Sequence, residues 1–253
     1  MLKKKYPILE FDNKSEALIN PDVLKGKFPQ LPEMMIICFF KEVIDSLIKE
    51  ETIEYLYTIA GENEINIYKF KDYDCAIVHG ALGAPACAGY LEEFIALGTK
   101  KVMFCGGAGV LKKDITVGKL IVINSAIRDE GFSYHYLKPS REVEANEEVI
   151  KKITELLDKE RIDYIVGKTW TTDAFYRETK NKIALRKKEG CLIVEMEQAA
   201  MLAVSKYRGI EYGAIIYGGD DVSGEYWDNR SWRDRSDIRK ALCDICLKIL
   251  VEE

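Results

Sequence analysis

Histidine is nearly absent from this chain, which has only His79 and His135 among its 253 residues. Metal sites built on imidazole ligands are therefore not expected. No apolar run approaches the ~20 residues that a membrane-spanning helix needs, and the opening MLKKKYPILEF has basic residues without the apolar core of a signal peptide. The net charge of −5 does not favour a nucleic-acid or anionic-membrane partner. We expect a cytoplasmic protein that binds neither nucleic acid nor membranes.

Cysteine occurs in an odd number, seven, and mostly inside apolar runs. Cys38, Cys75, Cys105 and Cys191 fall in predicted strands, where a reduced thiol behaves as a small hydrophobic side chain. This usage is typical of a reducing compartment. The segment Cys243–Cys246 has the spacing of a metal-binding pair, but it lies late in an amphipathic helix and the sequence shows no second ligand pair. The prediction is a structural role, and no metal.

Strand and helix patterns alternate along the chain, whose composition of 47% hydrophobic and 31% charged residues is that of an ordinary globular protein. No linker, internal repeat or low-complexity segment interrupts the alternation. It predicts a single-domain α/β fold with three layers and a mixed central sheet. Residues 1–32 are broken up by Pro7, Asn20-Pro21 and Pro29, so we expect an arm lying on the body or on a partner subunit. Residues 33–253 would form the domain that carries the function.

Two carboxylate clusters follow two predicted strands. The strand Cys191–Val194 leads into Glu195-Met196-Glu197, a helix then stops at Gly209, and the strand Tyr212–Tyr217 leads into Gly218-Gly219-Asp220-Asp221. Open α/β sheets bind ligands at the carboxyl ends of their strands, although acids at such places also simply cap the next helix. Glu195 and Glu197 are two residues apart and would share one face of an extended chain. The two clusters together indicate the rim of a pocket.

Two other stretches carry candidate ligand contacts. A predicted strand, Lys101–Cys105, runs into Gly106-Gly107-Ala108-Gly109, where small residues let a ligand approach the backbone. Tight turns after strands use the same residues, so this signal is weak alone. Phe175 and Tyr176 follow another strand and are either ordinary core or a platform on which a planar base stacks.

Four motifs occur in order along the chain: CGGAGVL at Cys105–Leu111, TTDAFY at Thr171–Tyr176, VEMEQAAM at Val194–Met201 and GGDDVSG at Gly218–Gly224. Together they resemble the signatures of the nucleoside phosphorylase and nucleosidase superfamily. Order and spacing agree from about Met34 to the C-terminus, and the overall pattern is most similar to that of the uridine phosphorylases. The resemblance implies cleavage of the N-glycosidic bond of a nucleoside by a catalytic domain at residues 33–253, in a homodimer or a higher homo-oligomer.

The resemblance also implies roles for the acids of the two clusters. Glu197 would accept hydrogen bonds from the ribose hydroxyls, with Met196 packing on the sugar and Glu195 in a supporting position. Asp221 aligns with the catalytic acid that protonates or orients the leaving base. Asp220 beside it would raise the pKa of one of the two carboxyls if both faced the pocket.

Base binding is assigned by resemblance to Phe175, Ala108 and Gly109, and the choice between purine and pyrimidine stays open. His135, in an aromatic loop, either reaches the site or has a structural role.

Phosphate binding is where the chain departs from the resemblance. The family arginines are replaced by Phe104 and by the altered loop Phe39-Phe40-Lys41, and the threonine of the first motif is Gly107. Arginine suits a dianion because its donors are forked. The donors that remain for a reduced phosphate site are Lys41, Arg177 and the backbone N–H of Gly107.

The sequence features that would distinguish phosphate from water as the nucleophile point in opposite directions. Glu42 lies where the hydrolytic members carry the glutamate that activates water, but carboxylates are also common at the start of helices. Nominally we predict phosphorolysis, which converts a nucleoside and phosphate to a base and a pentose 1-phosphate. The alternatives are a hydrolytic nucleosidase with Glu42 as base and a nucleoside-binding protein without turnover. No cofactor is predicted beyond phosphate as a possible co-substrate.

Overall fold

The structure, a computed structural model, describes residues 2–61, 63–232 and 234–252. Within those ranges ten strands form one mixed sheet and six α-helices cover its two faces. The strands are β1 Met34–Cys38, β2 Ile53–Ala60, β3 Glu64–Phe70, β4 Cys75–His79, β5 Lys101–Val110, β6 Leu120–Asp129, β7 Glu142–Glu144, β8 Tyr164–Thr172, β9 Cys191–Glu195 and β10 Glu211–Asp221. The helices are α1 Lys41–Lys49, α2 Ala84–Ala96, α3 Glu147–Lys159, α4 Lys180–Lys188, α5 Gln198–Arg208 and α6 Ser236–Val251.

The sheet has an open half and a closed half. In the open half β1 lies between β4 and β5, parallel to both, and β3 and β2 continue the sheet antiparallel beyond β4. In the closed half β5 also pairs with β10 and β9, and β6 and β8 complete a ring of five strands. The predicted α/β fold with a mixed central sheet is confirmed, whereas the closure of the ring was not predicted.

Helices pack on both faces, which confirms the three layers. One core lies under α2 and α5, and the other lies under α1, α3 and α6. The helix α5 is almost wholly buried because its first eight residues contact the core, and it ends at Gly209, whose φ of 72° is left-handed. Glycine adopts this conformation without steric penalty, so the predicted stop signal is confirmed. No helix in the described part of the chain is long and apolar enough to cross a bilayer.

Three local expectations differ from the structure. Gly106–Gly109 do not form a turn but continue β5, because β10 pairs with this segment and β9 joins it at Gly109. The helix α4 was not predicted, since its sequence KNKIALRKK is mostly basic and only Arg186 is buried. The last helix begins at Ser236 instead of Ser231, because Arg230 and Ser231 both have a positive φ of 48° that no helix allows.

The N-terminal arm is irregular, with two short 3₁₀ turns at Pro7–Leu9 and Pro21–Leu24. Its end is tied to the body by backbone hydrogen bonding from Leu31 N–H to the Leu97 carbonyl. Further along the sheet, the Tyr57 hydroxyl donates to the Pro29 carbonyl at 2.9 Å.

Candidate functional site

A gap in the strand pairing of β5 creates the candidate site. On one edge β5 pairs with β1 up to Cys105, and on the same edge β9 joins only at Gly109. Polar backbone groups alternate between the two edges of a strand. The Cys105 carbonyl and the Leu111 N–H both bond on this edge, so the Gly107 N–H and carbonyl also point into the gap. The gap thus exposes the backbone of Gly107 beside the end of β9.

Glu195 closes one side of the gap and has a structural task. It is 7% exposed and accepts four hydrogen bonds. The donors are the hydroxyls of Thr171 and Thr169, at 2.6 and 3.1 Å, and the N–H groups of Glu197 and Gln198, at 2.6 and 2.7 Å. Burial raises the pKa of Glu195 although these bonds oppose the shift. This carboxyl therefore caps α5 and fixes the position of the segment that follows.

Glu197 is 4% exposed and has fewer partners. Its Oε1 accepts the N–H of Gly83 at 2.7 Å, and its Oε2 accepts the N–H of the half-buried Met196 at 3.3 Å. Gly83 precedes α2 with a φ of 90°, which favours glycine there. Burial raises the pKa of Glu197, and the charge of Glu195 raises it further. Since Glu195 has more donors, the negative charge of the pair is best stabilised there, and Glu197 has capacity left for a ligand.

Asp220 approaches the same segment of β5 from β10. Its carboxylate oxygens are 3.6 and 3.7 Å from the place that a Cβ on Gly109 would occupy, so they lie in contact distance of this residue. The indole N–H of Trp227 donates to Asp220 Oδ2 at 2.6 Å. Burial raises the pKa of Asp220. The half-buried Glu178 lies near it: burial, and then the charge of Asp220, raises the pKa of Glu178 to about 7.

Asp221 takes different partners from its neighbour. Its Oδ2 forms an ion pair with Arg230, and its Oδ1 accepts the N–H of Ser223 at 2.7 Å. Burial alone would raise the pKa of Asp221, but the bond from Ser223 and the charge of Arg230 outweigh it and lower the pKa. The charge of Asp221 helps to raise the pKa of Asp220, as the sequence suggested for one of the two carboxyls, although the two take different partners. Glu178 is a further acid near Asp220, and Asp221 lacks the raised pKa that a proton donor needs.

Glu42 lies in the first turn of α1 and is held by an ion pair with Arg239. Arg239 is 6% exposed, and it also donates to the Tyr217 hydroxyl at 3.0 and 3.1 Å and to the Trp232 carbonyl at 2.9 Å. The carboxylate of Glu42 is thus part of a network between α1, β10 and α6. Its predicted role as the base that activates water stays a prediction.

A phenyl ring, that of Phe104, fills one position where the resemblance places a phosphate-binding arginine, and Phe39 in the altered loop packs against it. The rings of Phe39 and Phe104 have centroids 4.9 Å apart. A Cβ on Gly80 would stand 2.0 Å from the Phe39 ring, and one on Gly106 would stand 2.9 Å from the Phe104 ring. The glycines are therefore needed to admit the rings, and the space between β1, β4 and β5 is apolar.

The other predicted phosphate ligands are not brought together at one place. Lys41 donates to both oxygens of Asp45 on the exposed side of α1, at 2.6 and 2.7 Å. Arg177 is exposed in the 3₁₀ turn after β8. A Cβ on Gly107 would lie 3.0 Å from the Tyr217 ring, so the family threonine would crowd that ring.

The predicted base-binding residues border the gap or lie at its surface. Ala108 is 7% exposed and Gly109 is half-buried within β5. Phe175 is 45% exposed and Tyr176 89% exposed, with their ring centroids 4.0 Å apart. The interpretation of this aromatic pair as core is therefore wrong. His135 is exposed in a 3₁₀ turn after β6.

Comparison with known proteins adds the family to this geometry. Residues 33–250 match the family model of the phosphorylase superfamily. The chain belongs to this superfamily. It is 27% identical over 152 residues to a guanosine phosphorylase of Halorubrum lacusprofundi, an alignment that covers 60% of this chain and 63% of that protein. The chain spans between 39% and 63% of the lengths of the first three curated relatives.

Solved structures show the same superfamily fold. A uridine phosphorylase from Vibrio fischeri superposes with a TM-score of 0.75 at 24% identity, covering 88% of this chain and 93% of that one. An AMP nucleosidase from Bacteroides thetaiotaomicron superposes with a TM-score of 0.72 at 18% identity, covering 91% of this chain and 94% of that one. At these identities the likeness concerns the fold.

Three residues at the site of this superfamily member were missed by sequence reasoning. Glu178 follows the TTDAFY motif, and Trp227 and Arg239 follow GGDDVSG, but no local pattern marks any of them. Each becomes visible through a long-range partner: Asp220 for Glu178 and Trp227, and Glu42 for Arg239.

Proposed function

We propose that this protein cleaves the N-glycosidic bond of a nucleoside. One observation carries the proposal: the buried acids Glu195 and Glu197 and the half-buried Asp220 border the same two residues of β5. Val194 pairs with Gly109, so the Glu195–Glu197 segment begins beside Ala108, while the Asp220 carboxylate lies against Gly109 from the other direction. A nucleoside between the two sets would have its sugar at Glu197 and its base toward Asp220.

The chemistry of the reaction matches the two sets of acids. The sugar gains oxocarbenium character as the bond breaks, and the base departs with negative charge. Glu197 has an oxygen to accept a ribose hydroxyl, and hydrogen bonds in a buried, preorganised site are stronger than in water. Asp220 and Glu178, whose pKa values are raised, keep a proton between them near neutrality and can protonate the leaving base. The exposed rings of Phe175 and Trp227 offer planar surfaces for the base.

For the nucleophile we propose water. A phosphate dianion needs cationic donors, but Phe104 stands at one expected arginine position and its ring packs on Phe39, which belongs to the altered loop in place of the other. The acids around the gap would repel a dianion further. Glu42, in the turn that follows Phe39, is the candidate base.

Phosphorolysis, the nominal prediction from the sequence, is the second candidate. It is favoured by the relatives, which include guanosine, purine nucleoside and uridine phosphorylases. The backbone N–H of Gly107 in the gap would then be the remaining anion donor.

Product analysis tests the proposal. A panel of purine and pyrimidine nucleosides is incubated with and without phosphate, free base is followed by absorbance, and the sugar is identified by mass spectrometry. We expect base and free pentose at a rate independent of phosphate, and loss of this activity in Glu42→Gln. Pentose 1-phosphate formed only with phosphate would instead establish the second candidate.

Absence of turnover is a separate outcome. Calorimetric binding of a nucleoside by wild type without release of base would show a nucleoside-binding protein that lacks turnover. The inactive variant Glu197→Ala serves as the background control in every arm of the panel.

The proposal includes a homodimer and a cytoplasmic location. Apolar and aromatic side chains are exposed on the arm and beside the site, with Leu18 at 105%, Ile19 at 86% and Tyr176 at 89%. Such side chains are typical of surfaces that a partner covers. Light scattering of the purified protein should give twice the mass of one chain, and the mass of one chain would reject the dimer.

A further inference from the structure

Four buried cysteines converge beneath the candidate site. Cys38 ends β1 and is the register partner of Cys105 in β5, and both side chains face α6. Cys243 and Cys246 lie one turn apart on the buried side of α6. The sulfur atoms of Cys38, Cys105 and Cys243 all lie within 4.8 Å of one another. The expectation that the Cys243–Cys246 segment has no second ligand pair is therefore wrong.

The geometry points to a thiolate metal site, and we propose that Cys38, Cys105 and Cys243 bind one Zn²⁺ ion, with Cys246 as the fourth ligand. Tetrahedral zinc has Zn–S distances of about 2.3 Å, which places the sulfurs about 3.8 Å apart. The three sulfurs are already close to this arrangement. Cys246 is 0% exposed and its thiol interacts with that of Cys105, but its sulfur stands outside the group of three, so it would turn toward the ion on binding.

The ligand set selects the type of metal. Four sulfur donors in a tetrahedral arrangement are typical of zinc or of an iron–sulfur cluster, whereas hard ions such as Mg²⁺ prefer oxygen. The space between two adjacent strands and one helix suits a single ion better than a cluster with several atoms. The four cysteines are free thiols in the structure, so every donor is available.

A positively charged side chain near the cysteines would offset the negative charge of such a site. Zn²⁺ with four thiolates carries two negative charges, which are costly to bury without compensation. Arg239 lies one turn before Cys243 on the buried side of α6, and its guanidinium contacts the ring of Phe40, whose carbonyl accepts the Cys38 thiol. Arg239 thus supplies positive charge near the cluster, although it also pairs with Glu42.

A metal at this place would hold together the three elements that carry parts of the candidate site. Cys38 immediately precedes Phe39, Cys105 immediately precedes Gly106, and Cys243 shares α6 with Arg239. Coordination would join β1, β5 and α6 by bonds that hydrophobic packing alone does not provide, and binding of an ion to the folded state adds to its stability. This inference is independent of which bond the site cleaves.

Metal analysis of the full-length protein tests the proposal. Wild type, Cys38→Ser and Cys243→Ser are produced with zinc in the medium, purified under reducing conditions and assayed for zinc by mass spectrometry. Cys191→Ser is the matched control, because Cys191 is equally buried but lies at the start of β9 outside the cluster. We expect about one zinc per chain in wild type and control, and less than about a fifth of that in the two cluster variants.

Cadmium gives a second readout that does not depend on whether the variants fold. Zinc is removed from wild type with a chelator, and Cd²⁺ is then added as a spectroscopic probe of thiolate ligands. We expect a thiolate-to-cadmium charge-transfer band in wild type and a lower Tm after chelation, restored by zinc. The proposal is overturned if wild type carries no zinc and shows no band, or if the band persists unchanged in Cys243→Ser.

Discussion

The acids at the end of β9 and those at the end of β10 look alike in the sequence but behave differently in the structure. At the end of β9, Glu195 and Glu197 are both buried, and the main chain at Glu197 donates to the carboxylate of Glu195. At the end of β10, Asp221 bonds to Arg230 and Ser223 while Asp220 bonds to Trp227. One pair acts together and the other is divided.

Spacing explains the difference. Residues two apart on an extended chain face the same way, whereas adjacent residues face opposite ways. Glu195 and Glu197 can therefore serve one pocket, whereas Asp220 and Asp221, at the irregular end of β10, take separate partners. The second acid beside Asp220 comes instead from Glu178, more than forty positions earlier in the chain. Two acids close in sequence thus indicate one pocket only when their spacing lets both side chains point to the same face of the local backbone.

The largest effect is expected where the β9 pair meets the ligand. Glu197→Ala should lower kcat/KM by about 100-fold or more, because it removes a hydrogen-bond partner of the ribose from a preorganised site. Steady-state kinetics on the best nucleoside of the panel gives the value. Near-normal kcat/KM in a folded variant would remove Glu197 from the site.

Glu195→Ala is the contrasting change within the same pair. It leaves two backbone N–H groups and two hydroxyls without their acceptor, so we expect a loss of stability of about 2–4 kcal/mol. A lower Tm distinguishes it from Glu197→Ala, whose Tm should stay close to that of wild type. Equal Tm values would show that the two carboxylates share one role.

The divided pair should show opposite effects at adjacent positions. Asp220→Asn should reduce kcat by roughly 30- to 100-fold, because a general acid contributes about 100-fold or more and Glu178, which remains nearby, replaces part of it. Asp221→Asn should retain most activity but lower Tm by about 3–8 °C, because Arg230 loses its charged partner. Kinetics and thermal unfolding of both variants are compared. Greater loss of activity in Asp221→Asn would return the acid to Asp221, where the resemblance placed it.

Local patterns were sufficient for the segment from β9 to β10. Apolar runs marked both strands, and Gly209 marked the end of α5, because these features depend on residues close in sequence. The ring of strands was not predictable in this way, since β5 pairs with β9 and β10 at separations of many tens of residues. The same reason hid Glu178 and the cysteine cluster.

The site was predictable to the extent that its residues sit in motifs. Glu195, Glu197 and the small residues of β5 do border one gap. Pair geometry was not predictable: whether Asp220 or Asp221 keeps a proton depends on Arg230 and Trp227, which approach through a loop without a recognisable pattern. The protonation of the acids at the end of β10 thus depends on tertiary contacts, whereas the placement of the acids at the end of β9 follows from the strand itself.

A smaller effect is expected at the surface of the site. Phe175→Ala should raise KM by about 5- to 30-fold, which corresponds to about 1–2 kcal/mol of lost stacking. Its Tm should not change, because the ring is 45% exposed. Tyr176→Ala is the matched control, since that ring is 89% exposed and should matter less. A lower Tm with unchanged KM would give Phe175 a packing role.

The smallest effect is expected at Glu178, the half-buried acid near Asp220. Burial and the charge of Asp220 raise the pKa of Glu178 from 4.5 to about 7. The folded protein therefore holds this proton up to about pH 7, whereas the unfolded chain releases it near pH 4.5. A carboxyl with a raised pKa favours the fold at low pH, and this contribution is lost as pH rises through the folded-state value.

Glu178→Gln removes that titration. We expect wild type and variant to have similar Tm values at pH 4.5, and the variant to be more stable at pH 8 by about 1–2 kcal/mol after allowance for solvent screening. The proton that Glu178 holds near neutrality is absent from the variant, so the pH above which kcat declines should move down by roughly half a unit to one unit. Thermal unfolding and pH–rate profiles measure both. Glu225→Gln is the control, because Glu225 is exposed in the loop after β10. If Glu178→Gln gave the same Tm difference at both pH values and an unshifted profile, Asp220 would work without Glu178, and the acids at the end of β10 would act singly.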